Sequence, residues 1–170
     1  MSTTPSPNES PSAVLTSERA KAFIDAVVAI AMTLLILPLM ESVSEAAGTG
    51  MTAFAWLAEH DDQLLSFGLS FAIIAMFWIN HHRLFAFVAH VSSGLLWLTM
   101  AWLLSIVWLP VATAMSGQFA SADLGARIIY IGSMLLTSLL LLAMRLFLRA
   151  HPALLEVPPQ TLDRGLAVEI

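Results

Sequence analysis

Long uncharged apolar runs alternate with short polar segments along this chain. The runs cover residues 22–40, 64–80, 91–122 and 128–144, and Asp25 is the single charged residue inside them. A helix needs about 20 apolar residues to cross a bilayer core about 30 Å thick. The runs also lack the period-two alternation of barrel strands. We therefore predict an all-α polytopic membrane protein with four transmembrane helices.

The flanking sequences predict three regions. Residues 19–150 form the predicted bundle, with spans at about 20–41, 64–82, 94–115 and 126–149. Residues 1–18 are rich in Pro, Ser and Thr and contain no basic residue, which predicts a disordered tail and not a signal peptide. Residues 151–170 contain Pro158 and Pro159 and predict a connector followed by the beginning of a further helix.

Basic residues near the span ends predict the orientation. Arg127 falls on one side of the membrane, and the other basic residues share the opposite side: Arg19, Lys21, Arg83, Arg145, Arg149 and Arg164. Because cytoplasmic loops carry the excess of Lys and Arg, both ends of the described topology are expected in the cytoplasm. The protein is accordingly expected in the cell membrane as a multi-pass protein.

Composition narrows the function classes. The chain is 58% hydrophobic and 11% charged, with a formal net charge of −5 and no cysteine. No basic patch is present, so nucleic acid is not an expected partner. Scattered serines with one intramembrane Asp do not form a catalytic pattern, so the chain is not expected to be an enzyme. His81 and His82 lie about 100° apart on a helix, and without further ligands they predict no metal or cofactor site.

The first span presents two different faces. At about 100° per residue, one face collects apolar, hydroxyl and acidic side chains, namely Phe23, Ala26, Ile30, Thr33, Leu34, Leu37 and Glu41. Such a face can line a narrow pore if several copies assemble around it. Glu41, with the acids of the following outer segment, would give that pore a negative mouth that attracts cations.

Asp25 lies about 140° from Ile30 and therefore on another face of the helix. A carboxylate in a span costs about 2.5 to 3.5 kcal/mol on insertion scales, so it usually turns toward protein and finds a partner. Trp78 and His81, at the inner end of the second span, are candidate partners. The position of Asp25, one turn from the inner boundary, favours such a structural anchor, and the alternative is the proton site of a proton-coupled secondary transporter.

Two motifs carry a family resemblance. Residues 19–25 have Arg19, Phe23 and Asp25 in an R-x-x-x-F-x-D pattern, and residues 77–85 read FWINHHRLF. Together they resemble the transmembrane protein 175 potassium-channel family, whose signature R-x-x-x-F-S-D has serine where this chain has Ile24. The resemblance implies a potassium-selective cation leak channel, assembled as a homotetramer of six-helix subunits, so two helices beyond the four visible here are expected. The permeant ion that the resemblance implies is K⁺.

The resemblance also implies residue roles. Ile30 would form the hydrophobic constriction, with Leu34 and Leu37 as further apolar layers of the gate. Thr33 would add a ring of hydroxyls, and because it carries the only side-chain oxygen on the central part of this face it is our selectivity candidate. The resemblance further implies a packing network that holds the pore helix in place, formed by Arg19, Phe23, Asp25, Trp78 and His81.

Overall fold

The computed structural model describes residues 17–118 and 123–155. Most of the expected tail at 1–18, and the further helix expected within 151–170, therefore lie outside the described residues. The elements are α1 Ser17–Leu34, α2 Leu37–Gly48, α3 Ala53–Glu59, α4 Asp61–Phe85, α5 Ser93–Gln118, α6 Leu124–Ala150 and a short 3₁₀ turn at Pro152–Leu154. Within these ranges, four segments are long and apolar enough to cross a membrane, at Glu18–Gly48, Asp61–Phe85, Ser93–Gln118 and Leu124–Ala150. The predicted all-α polytopic class is confirmed.

The first span is interrupted, where the sequence predicted one continuous helix. α1 ends at Leu34 and α2 begins at Leu37, with a turn between them. Pro38 lies in the first turn of α2 and causes the break, because proline has no N–H to donate to the carbonyl of Leu34 and its ring crowds that carbonyl. The Ile36 N–H donates instead to the Thr33 carbonyl, at 3.3 Å.

α4 and α6 extend beyond their apolar runs at both ends. α4 begins at Asp61, which places Asp61 and Asp62 in its first turn, where the helix dipole favours acids. Its last turn carries His82 and Arg83, which suit the opposite end of the dipole. α5 stays within residues 91–122 and continues through Pro110 as far as Gln118.

The connection between α2 and α4 contains a tight turn and a short helix. Gly50 has a φ of 76°, a left-handed conformation that glycine adopts without steric cost. The Thr52 hydroxyl then accepts a hydrogen bond from the Ala55 N–H at 3.3 Å and caps α3. This turn lets the chain return to the membrane and begin α4.

α5 lies at the centre of the described bundle and packs against α1, α4 and α6. The core between these helices is aliphatic and aromatic, and among its fully buried side chains are Val28, Ile74, Leu95, Ile106 and Met144. α1 packs on α4 and α5. This arrangement determines which face of the first span is covered and which face is exposed.

A candidate pore helix and its anchor

α1 is attached to the bundle by one face. Ile24, Val28 and Ala31 are all buried, at the three- and four-residue spacing of a helical stripe, and Leu35 in the following turn continues it. Ile24 occupies the position of the signature serine and contributes to this apolar contact. The opposite face of α1 is consequently turned away from the bundle.

That outward face carries the residues that the sequence assigned to a pore. Large aliphatic side chains are left exposed there, at 57% for Ile30, 37% for Leu34 and 51% for Leu37. Thr33 and Glu41 are exposed as well. Leu37 and Glu41 lie beyond the break, so these five residues belong to two helices that meet at a bend.

Oxygen atoms are concentrated at this bend. The Thr33 hydroxyl donates its proton to the Ile30 carbonyl at 2.7 Å, which leaves the hydroxyl oxygen's lone pairs available as acceptors. The carbonyl of Leu34 loses its usual helical donor because Pro38 has no N–H. The bend therefore combines a surface hydroxyl with a weakened backbone ladder directly outward of Ile30.

Asp25 is bonded to the second span. The indole nitrogen of Trp78 donates to Oδ1 of Asp25 at 2.8 Å, and both side chains are half-buried between α1 and α4. This hydrogen bond joins residues far apart in sequence and fixes the rotation of α1 against α4. It is the contact expected of a structural anchor.

His81 lies in a different environment from Asp25. It is 2% exposed and its ring stacks on Phe85 and on Trp102, with ring centroids 4.3 Å apart in both pairs. Within the described part of the chain, His81 Nε2 and Trp102 Nε1 are buried without a hydrogen-bond partner. Sequence reasoning missed Phe85 and Trp102, although the four-residue spacing from His81 to Phe85 signals a pair on one helix face. In residues 17–118 and 123–155, no three His, Cys, Asp or Glu side chains form a metal-binding group.

Arg19 and Phe23 line a groove between α1 and α5 that Phe85 also borders. Among the residues described, Arg19 makes no ion pair with Asp25. The five residues of the implied network therefore fall into separate arrangements: the Asp25–Trp78 pair, the stack around His81, and this groove. Phe85 belongs to both of the last two.

A second polar cluster joins α4, α5 and α6 near the end of the bundle where α4 begins. Ser70 lies 2.9 Å from both the Thr113 and the Tyr130 hydroxyl oxygens, and Thr113 is 2.9 Å from the carbonyl of Leu109. Each hydroxyl has one proton, so the consistent direction runs from Tyr130 through Ser70 and Thr113 to that carbonyl. The sequence analysis did not identify this cluster, whose one signal is the presence of hydroxyl residues inside apolar runs.

These features define a polytopic α-helical membrane protein whose interrupted first span is anchored by one face and exposes the other. The family model of the endosomal/lysosomal potassium channel TMEM175 matches residues 19–110, which contain α1, the anchor and the stack around His81. The chain belongs to this family.

Individual relatives agree with this assignment. A protein from Streptomyces collinus named as a potassium channel is 35% identical over 112 residues, covering 66% of this chain and 53% of the relative. A protein from Chamaesiphon minutus, also named as a potassium channel, is 31% identical and covers 59% of this chain and 49% of its own length. The endosomal/lysosomal proton channel TMEM175 of Mus musculus is 33% identical over 64% of this chain and 23% of its own length. The chain spans about half the length of the bacterial relatives it matches.

Proposed function

We propose that this protein is a potassium-selective cation leak channel whose pore is lined by the first span of each copy. The observation that carries the proposal is the outward face of α1, where Ile30 remains 57% exposed while Val28 and Ala31 are buried. In the proposed tetramer, the exposed α1 faces of the four copies meet around a central axis and cover one another. The names of the bacterial relatives support K⁺ as the permeant ion.

The proposed gate is apolar. Ile30, Leu34 and Leu37 project large aliphatic groups from the exposed face. A ring of such groups closes a pore by dewetting, because an ion passing it loses water and gains no replacement ligand. Ile30 is the narrowest layer in this proposal, and the other two residues extend the apolar segment toward the outer side.

Selectivity is assigned to oxygen ligands next to that layer. The Thr33 hydroxyl oxygen keeps acceptor capacity after its proton is donated to the Ile30 carbonyl. The bend at Pro38 weakens the helical hydrogen bonding of the adjacent carbonyls. Oxygen atoms here partly replace the hydration shell of a K⁺ ion that is dehydrated at Ile30.

The outer mouth and the orientation complete the proposal. Glu41 is exposed beyond the bend, and the acids of the outer connection, Glu45, Glu59, Asp61 and Asp62, are exposed on the same side. Their negative potential concentrates cations and disfavours anions. The asymmetry of basic residues supports a cytoplasmic N-terminus in the cell membrane.

A second candidate function is a proton-coupled transporter that uses Asp25, since the mouse relative is named as a proton channel. The hydrogen bond from Trp78 to Asp25, at 2.8 Å, favours the anchoring role instead. Asp25→Asn separates the two. A carrier loses proton-coupled flux while it assembles normally, whereas an anchor variant loses assembly or thermal stability.

The channel proposal is tested in planar bilayers that contain the purified protein, with both ions on both sides in opposing K⁺ and Na⁺ gradients. We expect a reversal potential near the K⁺ equilibrium value. Ile30→Asn is expected to raise the leak, and the matched control is Ile131→Asn, because Ile131 is 64% exposed on α6. Absence of current from a verified assembly, or equal effects of the two substitutions, would contradict the proposal.

A further inference from the structure

A groove of about 510 Å³ lies between the first turns of α1 and α5. Apolar side chains dominate its lining, among them Phe23, Leu96 and Met100. Thr99 also borders it, but its hydroxyl donates within α5 to the Leu95 carbonyl at 2.8 Å. The walls therefore offer almost no unsatisfied polar group, and the volume lies in the range of ordinary ligand pockets, about 300 to 1,000 Å³.

The guanidinium of Arg19 is the charged group at the edge of this apolar groove. Arg19 lines the groove and is exposed, and among the described residues its guanidinium has no hydrogen-bond or ion-pair partner. Its neighbour Lys21 is already paired with Glu18 at 3.3 Å. Among the described residues, Arg19 is thus the basic side chain of this helix end that has no anionic partner.

Trp97 indicates the level in the bilayer at which the groove lies. It lines the groove from the second turn of α5 and is 77% exposed. Exposed Trp side chains are enriched at the interface between headgroups and acyl chains. A ligand here meets a cation at headgroup level and an apolar wall directly below it.

We propose that the groove binds an anionic phospholipid, with the phosphate on Arg19 and an acyl chain along Phe23, Leu96 and Met100. A single cation above an apolar channel is complementary to a molecule with one anionic head and a hydrocarbon tail. The cytoplasmic leaflet supplies such lipids, and basic pockets between helices on that side bind their headgroups. Only the orientation is taken from the proposed function, and because Arg19 and Phe23 belong to α1, the bound lipid would contact the pore helix directly.

The test uses the purified chain in phosphatidylcholine nanodiscs with increasing fractions of phosphatidylglycerol brominated on its acyl chains. Bromine quenches nearby tryptophan fluorescence, and subtraction of a Trp97→Phe variant isolates the Trp97 signal. We expect half-maximal quenching of Trp97 at an about fivefold lower mole fraction of brominated phosphatidylglycerol than of brominated phosphatidylcholine. This ratio corresponds to the attraction of one basic residue to an anionic lipid surface.

Two variants separate a built site from diffuse charge. Arg19→Gln is expected to abolish the preference, whereas Lys21→Gln removes one charge from the same helix end and is expected to keep it. Met100→Phe narrows the groove and is expected to weaken quenching by both lipids, which keeps the test decisive if Arg19→Gln does not fold.

Three results would overturn the proposal. Equal quenching by the two lipids in the unmodified protein removes the anionic specificity. Equal losses in the Arg19 and Lys21 variants indicate general surface charge. No quenching of Trp97 by either lipid indicates that protein, either a second copy or a further segment of chain, covers the groove. None of these readouts depends on ionic current.

Discussion

Replacing Trp78 with phenylalanine is expected to weaken the attachment of α1 to α4. The substitution removes the indole N–H that donates to Asp25 at 2.8 Å and keeps an aromatic ring in place. A hydrogen bond to a charged group contributes about 1.5 to 3 kcal/mol to stability, because the unsatisfied partner keeps its desolvation cost when the bond is lost. Trp78→Phe should therefore lower the free energy of unfolding by about that amount.

The assay is equilibrium unfolding in mixed micelles, followed by circular dichroism. Trp108→Phe is the matched control, because the Trp108 indole donates to the neutral Ser133 hydroxyl at 3.1 Å. Loss of a neutral hydrogen bond costs about 0.5 to 1.5 kcal/mol, so the control should be milder. A double-mutant cycle with Asp25→Ala isolates the pair and should give a coupling energy of about 1.5 to 3 kcal/mol.

The reasoning fails if Trp78→Phe costs no more than Trp108→Phe. It also fails if the coupling energy between Asp25 and Trp78 is close to zero, since the effect of Trp78→Phe would then come from ring size alone. In either case the anchoring role of Asp25 would lose its main support, and the carrier alternative would gain weight.

Four other substitutions have expected outcomes. Gly94→Ala would place a methyl group 2.9 Å from the Phe147 ring, so it should lower the melting temperature in detergent, whereas Gly132→Ala meets open space and should raise it slightly. Pro38→Ala restores a helical N–H and should straighten the first span, which pulsed electron paramagnetic resonance would detect as a longer distance between spin labels at its ends. Ser70→Ala removes the acceptor of the half-buried Tyr130 hydroxyl and one of the two partners of Thr113, and should destabilise the fold by about 1 to 3 kcal/mol in the same micelle unfolding assay.

Hydropathy was sufficient for the architecture because lipid imposes one dominant requirement, a run of about 20 apolar residues. Helical periodicity also separated the two faces of α1, since Ile30 and Val28 differ in exposure as their positions on a helix require. The sequence restricted the partner of Asp25 to a few candidates, because the start of the first span and the end of the second span lie at the same level of the membrane. Trp78 is the candidate that the structure pairs with it.

The break after Leu34 has a local cause in Pro38, but the apolar run continues through it, so hydropathy alone predicted one continuous span. Other features depend on tertiary packing. The partners of His81 depend on the rotation of α5, which is apolar on all sides and therefore gives no preferred face in the sequence. Its stack with Trp102 followed only from the packed bundle.

The most direct test of the pore is cysteine accessibility, because the chain contains no cysteine of its own. Single variants Ile30→Cys and Ile131→Cys place a thiol at sites of similar exposure, 57% on α1 and 64% on α6. Potassium current is recorded in planar bilayers before and after addition of a charged, water-soluble thiol reagent. We expect irreversible block through Ile30→Cys and no change through Ile131→Cys. Block of both variants alike, or unchanged current through an Ile30→Cys protein whose labelling is verified, would contradict a pore lined by the first span.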